Sequence, residues 1–192
     1  MTPFFNNPLF ILISFVFGMV LIVYINRFKL KQLIHNWQTA RCLDRLGLDQ
    51  ITNLSCPDGL GSNFKIDRLI LLDHAILIVN YKKYPGKIFG SKNIDEWTQM
   101  LGQKSYKFKN PLFNLKLQLH SLNKCIPEVT IEACLFFDNS AQFPKSIPPQ
   151  VLHPTHIDER FFRKNLHQVK PDVMRGWKTL KSLKENIAAN EK

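Results

Sequence analysis

Ahead of Arg27 this 192-residue chain has no acidic, basic or histidine side chain. Residues 8–25, PLFILISFVFGMVLIVYI, form an unbroken apolar run of 18. At about 1.5 Å per residue, a helix of that length nearly spans a hydrocarbon core of roughly 30 Å. The marks of a cleaved leader are missing too. Met1–Asn7 carries no Lys or Arg, and the run leaves through Tyr24-Ile25-Asn26-Arg27 without a small-residue cleavage site. The expectation is a retained transmembrane helix from Pro8 to Ile25, with residues 1–26 as tail and span, which excludes a wholly soluble chain. Arg27, Lys29 and Lys31 follow at once, and the positive flank of a span stays in the cytoplasm. This predicts a single-pass protein of the inner cell membrane, N-terminus outside and the rest cytoplasmic.

Other absences exclude familiar chemistries. There is no G-x-x-x-x-G-K-[ST], no G-x-G-x-x-G and no G-x-S-x-G, so phosphate-loop hydrolysis, dinucleotide binding and the serine-hydrolase elbow have no support. Cys42, Cys56, Cys125 and Cys134 show no C-x-x-C spacing, which argues against a zinc ribbon or a disulfide frame and for reduced thiols. Acids are scarce where bases abound. Residues 82–124 hold nine Lys or Arg against two Asp or Glu, and residues 160–192 hold nine against three, whereas residues 125–159 reverse the balance. These two segments carry the formal net charge of +11. A basic surface of this kind meets nucleic acid or anionic lipid.

Patterning predicts an α/β class. Leu30, Leu33, Ile34, Trp37 and Ala40 keep helical spacing and define a juxtamembrane helix within 27–50, running to about Leu46. A loop around Pro57–Ser62 leads to a strand over Phe64–Leu72. A tight turn at Asp73-His74 then leads to a second strand over Ala75–Tyr84, whose continuous Ile76–Val79 run reads as covered on both faces. Short strands follow at Lys87–Gly90 and near Tyr106–Phe108. Pro111 opens a helix with Leu112, Leu115, Leu119 and Leu122 on one stripe, and Thr130–Phe137 is a further buried strand. The remainder, 141–192, reads as a Pro-rich loop and two basic amphipathic helices, Ile157–His167 and Pro171–Ala188, packed on the domain. The second of these presents Arg175, Lys178, Lys181 and Lys184, which would suit either an anionic leaflet or solvent.

Two constellations draw attention. His153 and His156, with Asp158 behind them, have ligand-type side chains but too few partners for zinc. Asp67 on one strand and Lys82 at the end of the next would meet at one end of a hairpin. Phosphodiester hydrolysis asks for a carboxylate that holds Mg²⁺ and a cation near the developing phosphorane charge, and the pair supplies one piece of each.

A resemblance bears on this pair. Lys65-Ile66-Asp67-Arg68 is similar to Q-I-D-H of the nuclease-related domain (NERD) family, which belongs to the PD-(D/E)XK restriction-endonuclease-like superfamily. Ile78–Gly90, IVNYKKYPGKIFG, resembles a block of that family reading roughly V-I-E-T-K-N-Y-K-G-W-I-Y-G. Glu96-Trp97-Thr98-Gln99 through Tyr106-Lys107-Phe108-Lys109-Asn110-Pro111-Leu112 is similar to its W-T-Q…Y-x-F-x-N-P-L. The resemblance implies a nuclease-related domain over 51–140 and a restriction-endonuclease-like mixed sheet flanked by helices, preceded by the transmembrane helix. It also implies Mg²⁺-dependent cleavage of nucleic acid with Asp67 as metal ligand, position 80 as a second acid and Lys82 as the lysine.

Departures from the pattern weigh against that chemistry. Asn80 stands where the E-x-K glutamate belongs, no acid lies near Gln38 where the family has a helical Glu, Lys65 and Arg68 replace Gln and His, and Asn114 replaces a Gln. With Asp67 alone charged, Mg²⁺ affinity is expected to be weak and catalysis slow or lost. Binding survives better. Lys82, Lys83, Lys87, Lys92, Lys104, Lys107, Lys109 and Lys116 lie in or beside these blocks, interleaved with Tyr81, Tyr84, Phe89, Tyr106 and Phe108. Of these, Lys83, Lys87, Lys107 and Lys109 are expected to be the foremost nucleic-acid contacts. The rival expectation is a non-catalytic, membrane-proximal scaffold whose basic faces bind anionic lipid or a protein partner.

Overall fold

The computed structural model describes residues 8–57, 63–162 and 168–190, and the chain divides into two units, Met1–Ala40 and Arg41–Lys192. Most of helix α1 (Pro8–Asp44) lies in the first unit. Leu12, Phe15, Val16, Phe17, Met19 and Val20 are all exposed there, so the helix is apolar around its circumference and has no single stripe to bury. No single helix among the described residues is long and apolar enough to cross a membrane. Two segments bent relative to each other, Leu12–Arg27 and Lys29–Asp44, meet the requirement of length and composition only jointly. The span expected from Pro8 to Ile25 thus falls largely within the first segment of a bent pair.

The second unit is a mixed α/β fold. Along the chain it contains β1 (Asp49–Pro57), β2 (Asn63–Leu71), β3 (Ile76–Lys82), β4 (Gly86–Phe89), β5 (Glu96–Leu101) and β6 (Lys104–Lys109). Helix α2 (Pro111–Cys125), β7 (Ile131–Phe137), β8 (Ala141–Gln142), β9 (Val151–Leu152) and helix α3 (Pro171–Asn190) complete it. The strands form a five-stranded sheet in the order β1-β2-β3-β7-β9 and a four-stranded sheet in the order β6-β5-β4-β8. Both sheets are mixed. β1 to β3 run antiparallel while β3, β7 and β9 are parallel, and the smaller sheet pairs β4 antiparallel with β5 and parallel with β8.

The aliphatic run of β3 explains its central place. Ile76 and Ile78 face one core, with Leu112, Leu115 and Leu122 of α2 and Val173, Trp177 and Leu180 of α3. Leu77 and Val79 face a second core, with Phe136, Phe161, Leu43 and Leu46, so both faces are buried as a parallel-type central strand requires.

Three sequence expectations are corrected. The helix expected within 27–50 ends at Asp44, and residues from Asp49 on form β1, a strand not foreseen in the polar stretch DQITNLSCP. The Gln50 amide donates to the carbonyls of Leu43 (2.7 Å) and Leu46 (2.9 Å) and so helps to close the helix end. Gly47 makes the turn at φ 59°, where a Cβ would lie 2.2 Å from Ile70 Cγ2. The helix expected over Ile157–His167 is absent from its described part, since Glu159–Phe161 make only one 3-10 turn. The backbone there is committed elsewhere: the Gly47 N–H donates to the Phe161 carbonyl at 2.8 Å and Leu46 bridges Phe162. Residues 163–167 lie outside the described residues.

Helix α3 buries Val173, Trp177 and Leu180 in the core, and two of its four cations approach acidic side chains. Lys181 Nζ lies 2.6 Å from Asp49, which also accepts from Trp177 Nε1 at 3.0 Å, and Arg175 approaches Glu128 at 3.8 Å.

Candidate functional site

The hairpin of β2 and β3 opens into a fork at the residues singled out from sequence. The β2–β3 ladder runs from Leu71↔Ile76 to Arg68↔Val79 and stops there. One step further Asp67 faces Asn80. The β1–β2 ladder also skips Asp67, opposite Asn53, which takes φ 53°. At this break Asp67 turns its carboxylate to the neighbouring strand, where Oδ2 accepts from the Tyr81 N–H at 3.1 Å. That N–H would otherwise lose its ladder partner. Asp67 is exposed, and its first role is to tie the fork. Arg68 beside it bonds Asp44 at 3.1 Å and also the Gln50 side chain.

Asn80 sits 4% exposed on the face of β3 that meets α2. Its Nδ2 donates to Gln118 Oε1 at 2.5 Å, and Gln118 Nε2 donates to the Lys65 carbonyl at 2.8 Å. The chain of bonds has one polarity. A backbone carbonyl can only accept, so Gln118 presents its amide nitrogen to Lys65 and its oxygen to position 80, which then must offer a donor. Asn80 Oδ1 is left buried without a partner among the described residues. Gln118 went unseen in the sequence because it is an amide on the apolar stripe of α2, buried with Leu112, Leu115 and Leu122.

Lys82 ends β3, half-buried, two residues beyond Asn80 and so on the same face. Among the described residues no ion pair joins it to Asp67. Hence the fork brings Asp67 opposite Asn80, while Lys82 follows at the strand end.

This donor set does not suit a magnesium ion. Mg²⁺ asks for hard anionic oxygen from one or two carboxylates. Here the only carboxylate already accepts a backbone N–H, position 80 is neutral and locked to Gln118, and no group of three His, Cys, Asp or Glu among the described residues could hold a metal.

The aromatics of the motif blocks sort by burial. Tyr84 and Phe108 stack on each other at 4.4 Å, and Trp97 lies against Phe108 and Phe137 at 6.2 and 6.1 Å. Tyr81 donates its hydroxyl to Asp138 at 2.9 Å, and burial, aided by that carboxylate, pushes its pKa up. Asp138 is fully buried and also accepts from the Ser140 N–H and hydroxyl. Sequence reading missed this cluster.

Much of the third motif block is structural. Asn110 Oδ1 accepts from Leu112 N at 3.0 Å and caps α2, while its Nδ2 reaches the carbonyls of Ser91, Lys92 and Ile94. Gln99 Nε2 donates to the Pro85 carbonyl at 2.7 Å, and Trp97 Nε1 donates to the Ser91 carbonyl at 3.0 Å.

The profile of the nuclease-related domain family matches residues 31–138, more than half of the chain. The chain belongs to the nuclease-related domain family. An uncharacterized protein of Bacillus anthracis is 33% identical over 59 residues, 31% of this chain and 28% of that protein. This chain therefore matches less than a third of that relative's length. No solved structure matches it.

The histidine pair has a structural explanation as well. His153 Nε2 faces the Ala141 carbonyl at 3.2 Å, and Nδ1 accepts from the Thr155 N–H at 3.4 Å beside the Thr155 hydroxyl at 2.7 Å, which fits the neutral ring with its proton on Nε2. Burial lowers its pKa against the opposing pull of nearby carbonyls. A folded-state pKa below the unfolded value of about 6.5 means that the unfolded chain binds the extra proton first. Stability should therefore fall as pH drops through about 6.5. In urea titrations across this range, His153→Gln should flatten that slope; an unchanged slope would assign the effect elsewhere.

Burial also accounts for the inert thiols. The pKa values of Cys56 and Cys134 are pushed up to about 12.

Proposed function

We propose that this nuclease-related domain binds nucleic acid through its basic surface and has lost, or nearly lost, metal-dependent cleavage. The observation that carries this reading is the amide at position 80. It is held by Gln118, whose own orientation is dictated by the Lys65 carbonyl, and it leaves Asp67 as the lone carboxylate at the fork. Lys82, at the end of β3, is the phosphate-facing cation of the fork. The excess of Lys over acids in residues 82–124 supplies sequence-independent attraction for phosphate.

The exposed apolar helix over residues 8–25, followed by Arg27, Lys29 and Lys31, supports attachment to the inner cell membrane with the domain on the cytoplasmic side.

The test is binding of the purified full chain to DNA and RNA across a salt series, with Mg²⁺ and with excess EDTA. Binding should weaken steeply with salt and be indifferent to EDTA. Plasmid incubated with Mg²⁺ or Mn²⁺ should stay intact. Metal-dependent nicking that disappears in Asp67→Ala and Lys82→Ala would overturn the non-catalytic part, and no binding at low salt would overturn the whole.

A further inference from the structure

The smaller sheet has one buried and one open face. Ile88, Trp97 and Phe108 point into the core. Alternation then turns Lys87, Phe89, Thr98, Met100, Lys107 and Lys109 outward. Register arranges them in rows, with Phe89 beside Thr98 and Thr98 beside Lys107. Lys87 faces Met100 in the next row, and Lys109 faces Glu96 at the other end.

Two features of this face call for a ligand. Phe89 and Met100 are half-buried apolar side chains that belong to neither core cluster, and three lysines stand on the same face. The one acid, Glu96, reaches Lys107 at 3.4 Å with both groups well exposed, an ion pair that a phosphate replaces at little cost. Lys107 and Lys109 stand two residues apart on β6, about 7 Å, or roughly two nucleotides of a stacked strand at about 3.4 Å each.

We propose that this outward face of β4–β5–β6 is a binding surface for single-stranded nucleic acid, with Phe89 as the platform for an unpaired base and Lys87, Lys107 and Lys109 on the phosphates. This rests on the nucleic-acid reading above and adds where the strand lies and that it is single. A duplex offers such a sheet only its backbone and leaves Phe89 against charged oxygen, whereas an unpaired base covers the ring and meets the lysines with its own phosphates. Tyr84 and Phe108 are excluded from this role because they stack on each other, and Tyr81 because it is bound to Asp138.

The experiment measures binding of the full-length chain to labelled oligo(dT), oligo(U) and a DNA duplex of equal length across a salt series. Single strands should bind more tightly than the duplex. The slope of log K against log salt should be about −2 for three phosphates at −0.7 each, and Lys107→Ala should reduce it by about 0.7. Phe89→Ala and Phe89→Leu should each weaken single-strand binding about 5- to 150-fold, the worth of one stacked base, and leave duplex binding unmoved. Phe89→Tyr should restore it. Phe89→Leu keeps an apolar side chain of similar reach, so its loss reads the ring and not the fold.

Binding that persists in Phe89→Leu and in the triple lysine variant would overturn this surface while leaving the nucleic-acid function standing. So would a duplex preferred over single strands. Absence of any binding at low salt would remove both.

Discussion

Replacing Trp97 with alanine is expected to cost about 3–5 kcal/mol of stability, as for other large-to-small changes at fully buried aromatic positions. Trp97 is 0% exposed, lies stacked on Phe137 of the larger sheet at 6.1 Å and edge-on to Phe108 of the smaller sheet at 6.2 Å, and donates its indole N–H to the Ser91 carbonyl. One side chain thus joins the two sheets. Its loss opens a cavity between them and removes one of the two donors to the Ser91 carbonyl, against a total stability of about 5–15 kcal/mol for a domain. The fit is tight enough that Gly90 leaves no room for a Cβ, which would lie 2.2 Å from the Trp97 ring. Urea unfolding followed by circular dichroism checks this. A midpoint shift worth less than about 1 kcal/mol would show that the sheets do not depend on this contact, since ordinary surface changes stay within about 0.5 kcal/mol.

The second large effect comes from changing a single atom. Asn80→Asp keeps the shape of the side chain but replaces the donor that faces Gln118 Oε1 at 2.5 Å. Two acceptors would then meet. If Gln118 turned over to offer its nitrogen, its oxygen would face the Lys65 carbonyl, now 2.8 Å from Nε2, and the conflict would only move. A charge buried without compensation adds to this, and the expected cost is about 3–5 kcal/mol at neutral pH. The burial raises the pKa of the introduced carboxyl. The folded variant then holds a proton that the unfolded chain has released, so its stability falls as pH rises through that pKa and recovers on acidification. Unfolding of variant and wild type at several pH values reads the effect, and a variant as stable as wild type at neutral pH would refute the bond polarity argued for Gln118. Mg²⁺ added to both proteins probes what remains of the metal centre. A midpoint raised in the variant alone would mean that the second carboxylate is all the fork lacks.

The two predictions separate roles that a motif comparison runs together. W-T-Q and N-P-L resemble family signatures, yet Trp97, Gln99 and Asn110 act as core, strap and helix cap. The D…N-x-K positions lie at the fork, where the ladder opens, with Asp67 exposed and Asn80 held in the core by Gln118. Asp67, Asn80 and Lys82 were placed on their strands by period and turn residues. Gln118 was not legible because one amide in a leucine stripe looks like a solvated position until the facing strand is seen. β1 was hidden for a related reason. Its polar sequence lacks alternation, and it is a strand because β2 offers an edge to pair with. The basic row of α3 left its partner open, because Asp49, which Lys181 meets, lies 132 residues earlier in the chain.

By itself the sequence determined the charge-free, apolar first 26 residues, the basic excess over residues 82–124 and the buried central strand, and only its resemblance to a family marked position 80 as lacking an acid. Composition and short-range period are local properties, and one chain carries them in full. The tertiary structure alone decided that Asn80 is locked by Gln118, that Asp67 ties a fork, and that Phe89 faces outward while Tyr84 and Phe108 face inward. Each of these depends on which side of a strand meets a partner far along the chain. That pairing is set by register and packing, which no local pattern encodes.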